Sequence, residues 1–413
     1  MPKKTIVILG TMDTKGEQLQ FLKEKIMAHG HEGLLMDLST GGHAAFPADI
    51  FPEEIANLAG KDIQELMASR DRFSVTAAMS AGAQQKALEL LSAGRLHGIV
   101  ALGGATMALI GSQVMSNLPF GLPKFIATPA AMPVYVGRWF GANDLSIMQM
   151  IMEVAGMNAL VKNAIAQVAG AIAGMVAEAL DYRSLKLPYP SIAVTEVGFS
   201  DQCAKYVEQL LTEKGYHVFP FHAQGTSDRA MDCLISQGFF DGVVEIVPAG
   251  LIEARFRGNR AADMTRLDAA GQRGIPQVWA PCCLNLTGAG PTRTNREKYI
   301  ASGKVLKIDD MRAMTRFPVD ELIIGASLYA EKINQAHGPI KLIVPRKGWS
   351  SLDQEGSLLY DPQEDQIFIT ELKKQLRKEL EIEEVDANLE DIETARALVE
   401  SLDAFIIGGI QDQ

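Results

Sequence analysis

Short apolar runs alternate with stretches of helical spacing from the first residues onward. Thr5-Ile-Val-Ile-Leu9 is β-branched or apolar throughout, as a strand buried on both faces requires. After the turn Gly10-Thr-Met-Asp-Thr14, residues Leu19, Phe21, Leu22 and Ile26 recur at helical spacing, so a helix is expected over 15–28. Strands are expected again at 33–38, 98–102 and 124–128, and helices at 61–68, 76–92 and 105–115. A long helical pattern rich in small residues covers 146–180, broken or closely packed at Gly156, Gly170 and Gly174. Pro188-Tyr189-Pro190 reads as a linker, and the alternation then restarts at Ser191-Ile-Ala-Val-Thr195. A helix is expected over 202–214 and further strands over 216–221, 242–247, 277–280 and 341–344. Strands alternating with helices specify a parallel sheet covered on both faces. The expected fold is α/β, with two tandem Rossmann-like, doubly wound parallel-sheet domains at 1–185 and 186–413. The charged tail, 371–384 and 388–402, reads as surface amphipathic helices.

With 50 acidic against 39 basic residues, the formal net charge is −11, which disfavours a nucleic-acid partner because phosphate backbones demand a basic surface. No uninterrupted apolar segment reaches membrane-spanning length, and Lys3-Lys4 leads into a very short apolar run rather than a signal peptide. Cys203, Cys233, Cys282 and Cys283 show no metal-binding spacing and read as reduced thiols, so a cytoplasmic location and no metal site are expected.

In an open parallel sheet, ligands bind beyond the carboxyl ends of the strands. The turn Gly10, Thr11, Met12, Asp13, Thr14, Lys15 lies there, offering backbone amides, hydroxyls, a carboxylate and an ammonium to a phosphate, with or without a cation. It lacks the spaced glycines of the Walker loop and of the dinucleotide fingerprint. The plainer alternative is a turn in which Asp13 or Thr14 caps the helix. Gly103, Gly104, Ala105 and Thr106 form a second strand-to-helix turn that can face the first across the switch-point crevice. Asp37 ends the second strand, where an acid accepts ribose hydroxyls or else caps the Ser39-Thr40-Gly41 turn. Asn143-Asp144 fits a helix N-cap, and Arg138, in a Gly-flanked loop before it, can reach a phosphate.

In the second half, His222 is a candidate acid or base, with Gly225, Thr226 and Arg229 as an anion-binding substrate site in the same turn. Glu196 and Glu245, at neighbouring strand ends, are its candidate partners. The alternative for Glu245 is an ion pair with Arg255 or Arg257, and Cys282-Cys283 read as small core residues.

Taken together, Gly10-Thr-Met-Asp-Thr-Lys15, Gly103-Gly-Ala-Thr106, Gly156-Met-Asn158 and Phe221-His-Ala-Gln-Gly-Thr226 with Arg229-Ala-Met231 resemble the ATP-binding family typified by the tomato mosaic virus resistance protein. Gly274-Ile-Pro-Gln-Val278, Leu352-Asp353 and Tyr360-Asp-Pro362 extend the resemblance over nearly the whole chain. It implies two Rossmann-like subdomains, an ATP site and a tendency to form homodimers. Position by position, it assigns Asp13, Thr14 and Lys15 to the first loop and Gly103, Gly104 and Thr106 to the second. Ala127-Thr128 stands where the family has Ser-Thr, so Thr128 joins the nucleotide-binding set. The leading expectation is a nucleotide-binding protein that takes ATP, with Mg²⁺ where the phosphates need it, in a cleft between domains. An enzyme acting on a small phosphorylated or carboxylated metabolite through His222 is the first alternative. A non-catalytic oligomeric scaffold, built on the small-residue helix, is the second.

Overall fold

A computed structural model describes residues 3–42, 46–141, 143–181 and 184–411, without the side chains of residues 133, 134, 138, 140, 410 and 411. The chain divides into two compact units, Met1–Leu185 and Lys186–Gln413.

In the first unit the elements run β1 (Thr5–Gly10), α1 (Met12–Ala28), β2 (Glu32–Asp37), α2 (Pro52–Leu58), α3 (Ile63–Ala68), α4 (Arg72–Ser92), β3 (Gly98–Leu102), α5 (Ala105–Ser116), β4 (Lys124–Thr128), α6 (Pro133–Phe140), β5 (Leu145–Gln149) and α7 (Ala159–Glu178). The strands form one parallel sheet in the order β2-β1-β3-β4-β5. Successive side chains of a strand point to opposite faces, so β1 feeds two cores. Ile6 and Ile8 pack with Leu19, Leu22 and Ile26 of α1 and with α7. Val7 and Leu9 pack with Met79 and Ala83 of α4 and Ile110 and Val114 of α5. This is the doubly wound arrangement, with its switch point between β1 and β3. A Cβ on Gly111 would lie 2.6 Å from the Ala101 Cβ, so α5 sits directly on β3.

The second unit continues with β6 (Ser191–Glu196), α8 (Asp201–Glu213), β7 (His217–His222), α9 (Ser227–Ser236), β8 (Gly242–Glu245), α10 (Gly250–Arg255), α11 (Asp268–Arg273) and β9 (Gln277–Trp279). Then come β10 (Leu286–Gly288), α12 (Arg296–Ile300), β11 (Leu306–Lys307), β12 (Ala313–Arg316), α13 (Val319–Gln335), β13 (Ile340–Pro345), α14 (Pro362–Gln375), β14 (Glu381–Val385) and α15 (Ile392–Gln411). Its parallel sheet has the order β14-β13-β9-β8-β6-β7, and its switch point lies between β6 and β8. A separate antiparallel sheet, β10-β12-β11, is inserted after β9. The two Rossmann-like parallel-sheet domains expected from the sequence are present.

Four expectations change. The 146–180 pattern is not one helix: β5 occupies its start, and α7 begins only after Asn158, whose side chain accepts from the amides of Leu160 and Val161. Asn143-Asp144 therefore precedes a strand, and Asp144 pairs with Lys124, a fully buried ammonium on β4. Arg138 lies on α6 rather than in a loop, and its side chain is outside the described residues. In the tail, the run from Glu381 is an edge strand whose carboxylates meet Lys341 and Lys373, and α15 buries Ala395, Leu398 and Leu402 instead of lying on the surface. Helix α7 is long and apolar enough by composition to cross a bilayer, and its Val161, Ile165, Val168 and Ile172 pack into the domain core.

Candidate functional site

The two turns singled out in the first domain lie at the ends of adjacent strands, since β1 pairs with β3 through Leu9 and Ala101. They differ in what their amides do. At the amino end of α1, the Met12 amide donates to Asp37 Oδ1 at 2.9 Å and the Asp13 amide to Ser39 Oγ at 3.1 Å. The amides of Thr14 and Lys15 donate to the Thr11 carbonyl at 3.3 and 2.9 Å. The first turn is thus closed by the protein's own groups. Asp37 is only 3% exposed and also accepts from the amide and hydroxyl of Ser39. Burial raises its pKa, and the Ser39 and Met12 hydrogen bonds oppose that shift. It holds α1 and the turn after β2 together, which is the capping alternative rather than the ribose-accepting one. Asp13 Oδ2 accepts from the Gly41 amide at 3.1 Å, while its Oδ1 is buried without a hydrogen-bond partner. Thr11 and Thr14 join their hydroxyls at 2.7 Å. Among the described residues Lys15 has no ion-pair partner.

Replacing Asp37 with alanine strands the Met12 and Ser39 amides. A loss of about 1–3 kcal/mol is expected for such buried donors, read as a lower urea midpoint with an unchanged slope.

The second turn is open. Gly103 donates to the Ala127 carbonyl at 3.2 Å, but among the described residues no acceptor meets the amides of Gly104, Ala105, Thr106 or Met107. Gly104 is the N-cap of α5 and supplies no side chain, and Ala105 and Thr106 are exposed. Four orphan amides and the positive end of a helix dipole lie at the switch point, with Ala105 and Thr106 exposed and Met107 buried. Thr128, at the next strand end, is fully buried, and its hydroxyl accepts from the Ala130 amide at 3.2 Å. It shapes the turn after β4.

In the second domain the expected His222 cluster is only half assembled. Glu196 and His222 are register partners on β6 and β7, so their side chains share a sheet face. Among the described residues no side chain bonds the exposed imidazole of His222. Glu245 is on the other face: Thr195 donates to it at 2.7 Å and Arg266 at 2.5 Å. Alternation along β6 forbids a Glu196–Glu245 pair, and the partner of Glu245 is Arg266, not Arg255 or Arg257. Arg229 is paired with Asp263 at 2.8 Å. Gly225 has φ +85° and a Cβ there would lie 2.2 Å from the Ala261 carbonyl oxygen, so this glycine serves close packing. Thr226 is exposed at the amino end of α9. The amides of Gln202 and Cys203, opening α8, donate to Glu390 at 3.1 and 3.3 Å. In each domain, then, the first helix has its amino end occupied by a carboxylate from a distant element. Among the described residues no three His, Cys, Asp or Glu side chains converge to hold a metal ion.

Residues 4–181 match the N-terminal domain, and residues 189–406 the C-terminal domain, of the uncharacterised protein family UPF0261. The chain belongs to UPF0261. A family protein from Clostridium tetani is 31% identical over 400 residues, covering 97% of this chain and 98% of that one. One from Brucella suis is 27% identical over 413 residues, covering 98% and 96%. The ToMV resistance protein Tm-1(GCR237) of Solanum lycopersicum is 27% identical over 419 residues, covering 96% of this chain but 55% of the tomato protein. UPF0261 therefore supplies a shared two-domain frame, and the chemistry has to be argued from the side chains.

Proposed function

We propose that the first domain binds a phosphorylated small molecule, with an adenine nucleotide such as ATP as the leading candidate, and that its phosphates rest on the amino end of α5. The observation that carries this reading is the set of four acceptor-free amides, Gly104 to Met107, at the switch point of a doubly wound sheet. Lys15, half-buried, and the Thr11 and Thr14 hydroxyls belong to the turn at the adjacent strand end, and in this reading that turn contributes side chains rather than a backbone cradle. Magnesium would arrive with the nucleotide, near Asp13.

Gly104→Asp tests the reading with opposite signs on two measurements. Gly104 has φ −73°, and a Cβ there meets no atom within 4 Å, so the side chain fits. An aspartate at this position caps α5 and repels a phosphate. The thermal midpoint is expected to hold or rise slightly, as a stability gain of roughly a few tenths of a kcal/mol requires. Calorimetric binding of Mg-ATP by wild type should fall at least about tenfold in the variant. Equal affinity in both proteins, or no heat with wild type at millimolar nucleotide, overturns the assignment.

A further inference from the structure

We propose that the second domain contains a buried oxyanion site in which Arg293, with Arg260 beside it, takes the carboxylate or phosphate group of a small metabolite next to the Cys283 thiol. Glu253 lies on α10, which follows β8, and Cys283 lies in the turn after β9. Both positions follow carboxyl ends of adjacent strands, the ligand-binding edge of such a sheet.

Arg260 and Arg293 are 6% and 4% exposed, and Glu253 and Cys283 are fully buried. Arg260 donates to Glu253 Oε1 through Nε at 3.3 Å and Nη2 at 2.9 Å, and Nη2 also donates to the Leu286 carbonyl at 2.8 Å. Its Nη1 meets no acceptor within hydrogen-bonding geometry. In Arg293 none of the three guanidinium nitrogens does. Its nearest carboxylate oxygen is Glu253 Oε2 at 3.9 Å, and its guanidinium lies 4.0 Å from the centroid of the Tyr299 ring. Tyr299 is fixed in turn by its hydroxyl, 3.1 and 3.2 Å from the Glu321 oxygens.

The charges of this cluster do not close. Two buried guanidiniums share one carboxylate, and Glu253 is engaged chiefly by Arg260. An arginine stripped of water and given no acceptor is strongly unfavourable unless something anionic completes it. The Cys283 thiol lies beside Arg260. A hydrogen bond with Cys282, whose sulfur is 3.7 Å away, and the Arg260 guanidinium bring its pKa below the ordinary thiol value against the effect of burial. Glu253 Oε2, itself without a hydrogen bond, faces only Arg293 Nη1 and at 3.9 Å, so the rest of the Arg293 fork, whose geometry suits a carboxylate or phosphate, is left without an acceptor. Cys283 itself is held at φ 60°, and Arg257 and Asn295, in the flanking segments, at 55° and 54°. Left-handed non-glycine residues of this kind gather where a fold holds a site in shape.

The test is hydrogen exchange on the full chain with inorganic phosphate and, separately, succinate as probes. In wild type, either probe is expected to slow exchange in segments 253–260 and 283–293 about tenfold at a concentration about ten times its Kd. Protection by one probe alone identifies a phosphate or a carboxylate guest. Arg293→Gln should abolish the protection, and Arg293→Lys, which keeps the charge without the fork, should retain part of it. Absence of protection by both probes in wild type overturns the proposal, as does equal protection in Arg293→Gln. Protection confined to segment 103–108 would support the nucleotide site of the first domain and count against this one.

Discussion

Replacing Arg266 with methionine is expected to cost the second domain about 3–5 kcal/mol, the range for removing one partner of a buried charge cluster. Arg266 is 1% exposed. Its Nη2 donates to Glu245 at 2.5 Å, its Nη1 to Asp232 at 2.9 Å, and its Nε lies 3.5 Å from Asp228. Both oxygens of Asp228 are buried without a hydrogen bond. Without the guanidinium, three carboxylates face one another in a medium that screens them poorly. The measurement is exchange of the β8 amides, which report opening of this core; a change below about 1 kcal/mol would mean that water or bound protons already neutralise the cluster. A double substitution, Arg266→Met with Glu245→Met, should recover only part of the loss, because Glu245 leaves with its partner while Asp228 and Asp232 stay behind without a guanidinium.

The sheets were legible because a strand buried on both faces must be a near-continuous apolar run, and Thr5–Leu9, 98–102 and 191–195 can be little else. The edge strands β5 and β14 carry no such signature, unlike β2, which is buried over Gly33–Asp37. β14, Glu381-Ile-Glu-Glu-Val385, is half solvated, and its acids are held by Lys341 and Lys373 from neighbouring elements, so its composition imitates a charged helix. β5 reads as part of a helical pattern for the same reason: after Leu145 its residues are half-buried, and Gln149 is exposed. The short strands of the inserted antiparallel sheet fell below any periodicity.

Site residues were legible by location and not by employment. Sequence spacing placed Asp37 at a strand end beside the Gly10 turn, but only coordinates reveal that its carboxylate fills the anion seat of α1. Glu390 does the same for α8 from the far end of the second domain, a pairing that no local pattern announces. Glu245 and His222 sit at the ends of β8 and β7, which flank β6, yet a single step of alternation sends them to opposite faces. Conversely, Arg293 lies in a Gly- and Thr-rich segment that reads as loop, and its orphan guanidinium appears only once burial is known. The turn that remains open, at Gly104, is the one whose N-cap has no side chain to close it.

The second domain is expected to lose stability as pH rises from about 5 to about 7. Burial pushes Asp232 up to about 7, outweighing Arg266, with Glu245 and Asp228 adding to the shift. Burial also raises Glu245. One guanidinium cannot neutralise three carboxylates, so the folded cluster keeps a proton that the unfolded chain gives up near the ordinary aspartate value. An acid whose folded pKa is raised stabilises the fold while both states are protonated, and that contribution disappears as pH climbs to the folded value. At about 1.4 kcal/mol per unit, the two-unit window gives an effect on the order of 2 kcal/mol. Asp263, Asp361 and Asp403, whose pKa values are lowered, act with the opposite sign, but at pH values below this window. In the first domain, burial lowers His31, which favours folding as pH rises, so a global midpoint would mix two slopes. Exchange of the β8 and β3 amides separates them: β8 should lose more protection at the higher pH than β3, where His31 opposes the raised Asp37. Asp232→Asn should make the β8 profile shallower without levelling it, because burial also pushes Asp365 of the same domain up to about 8; an unaltered slope in that variant would place the titrating proton on another buried acid.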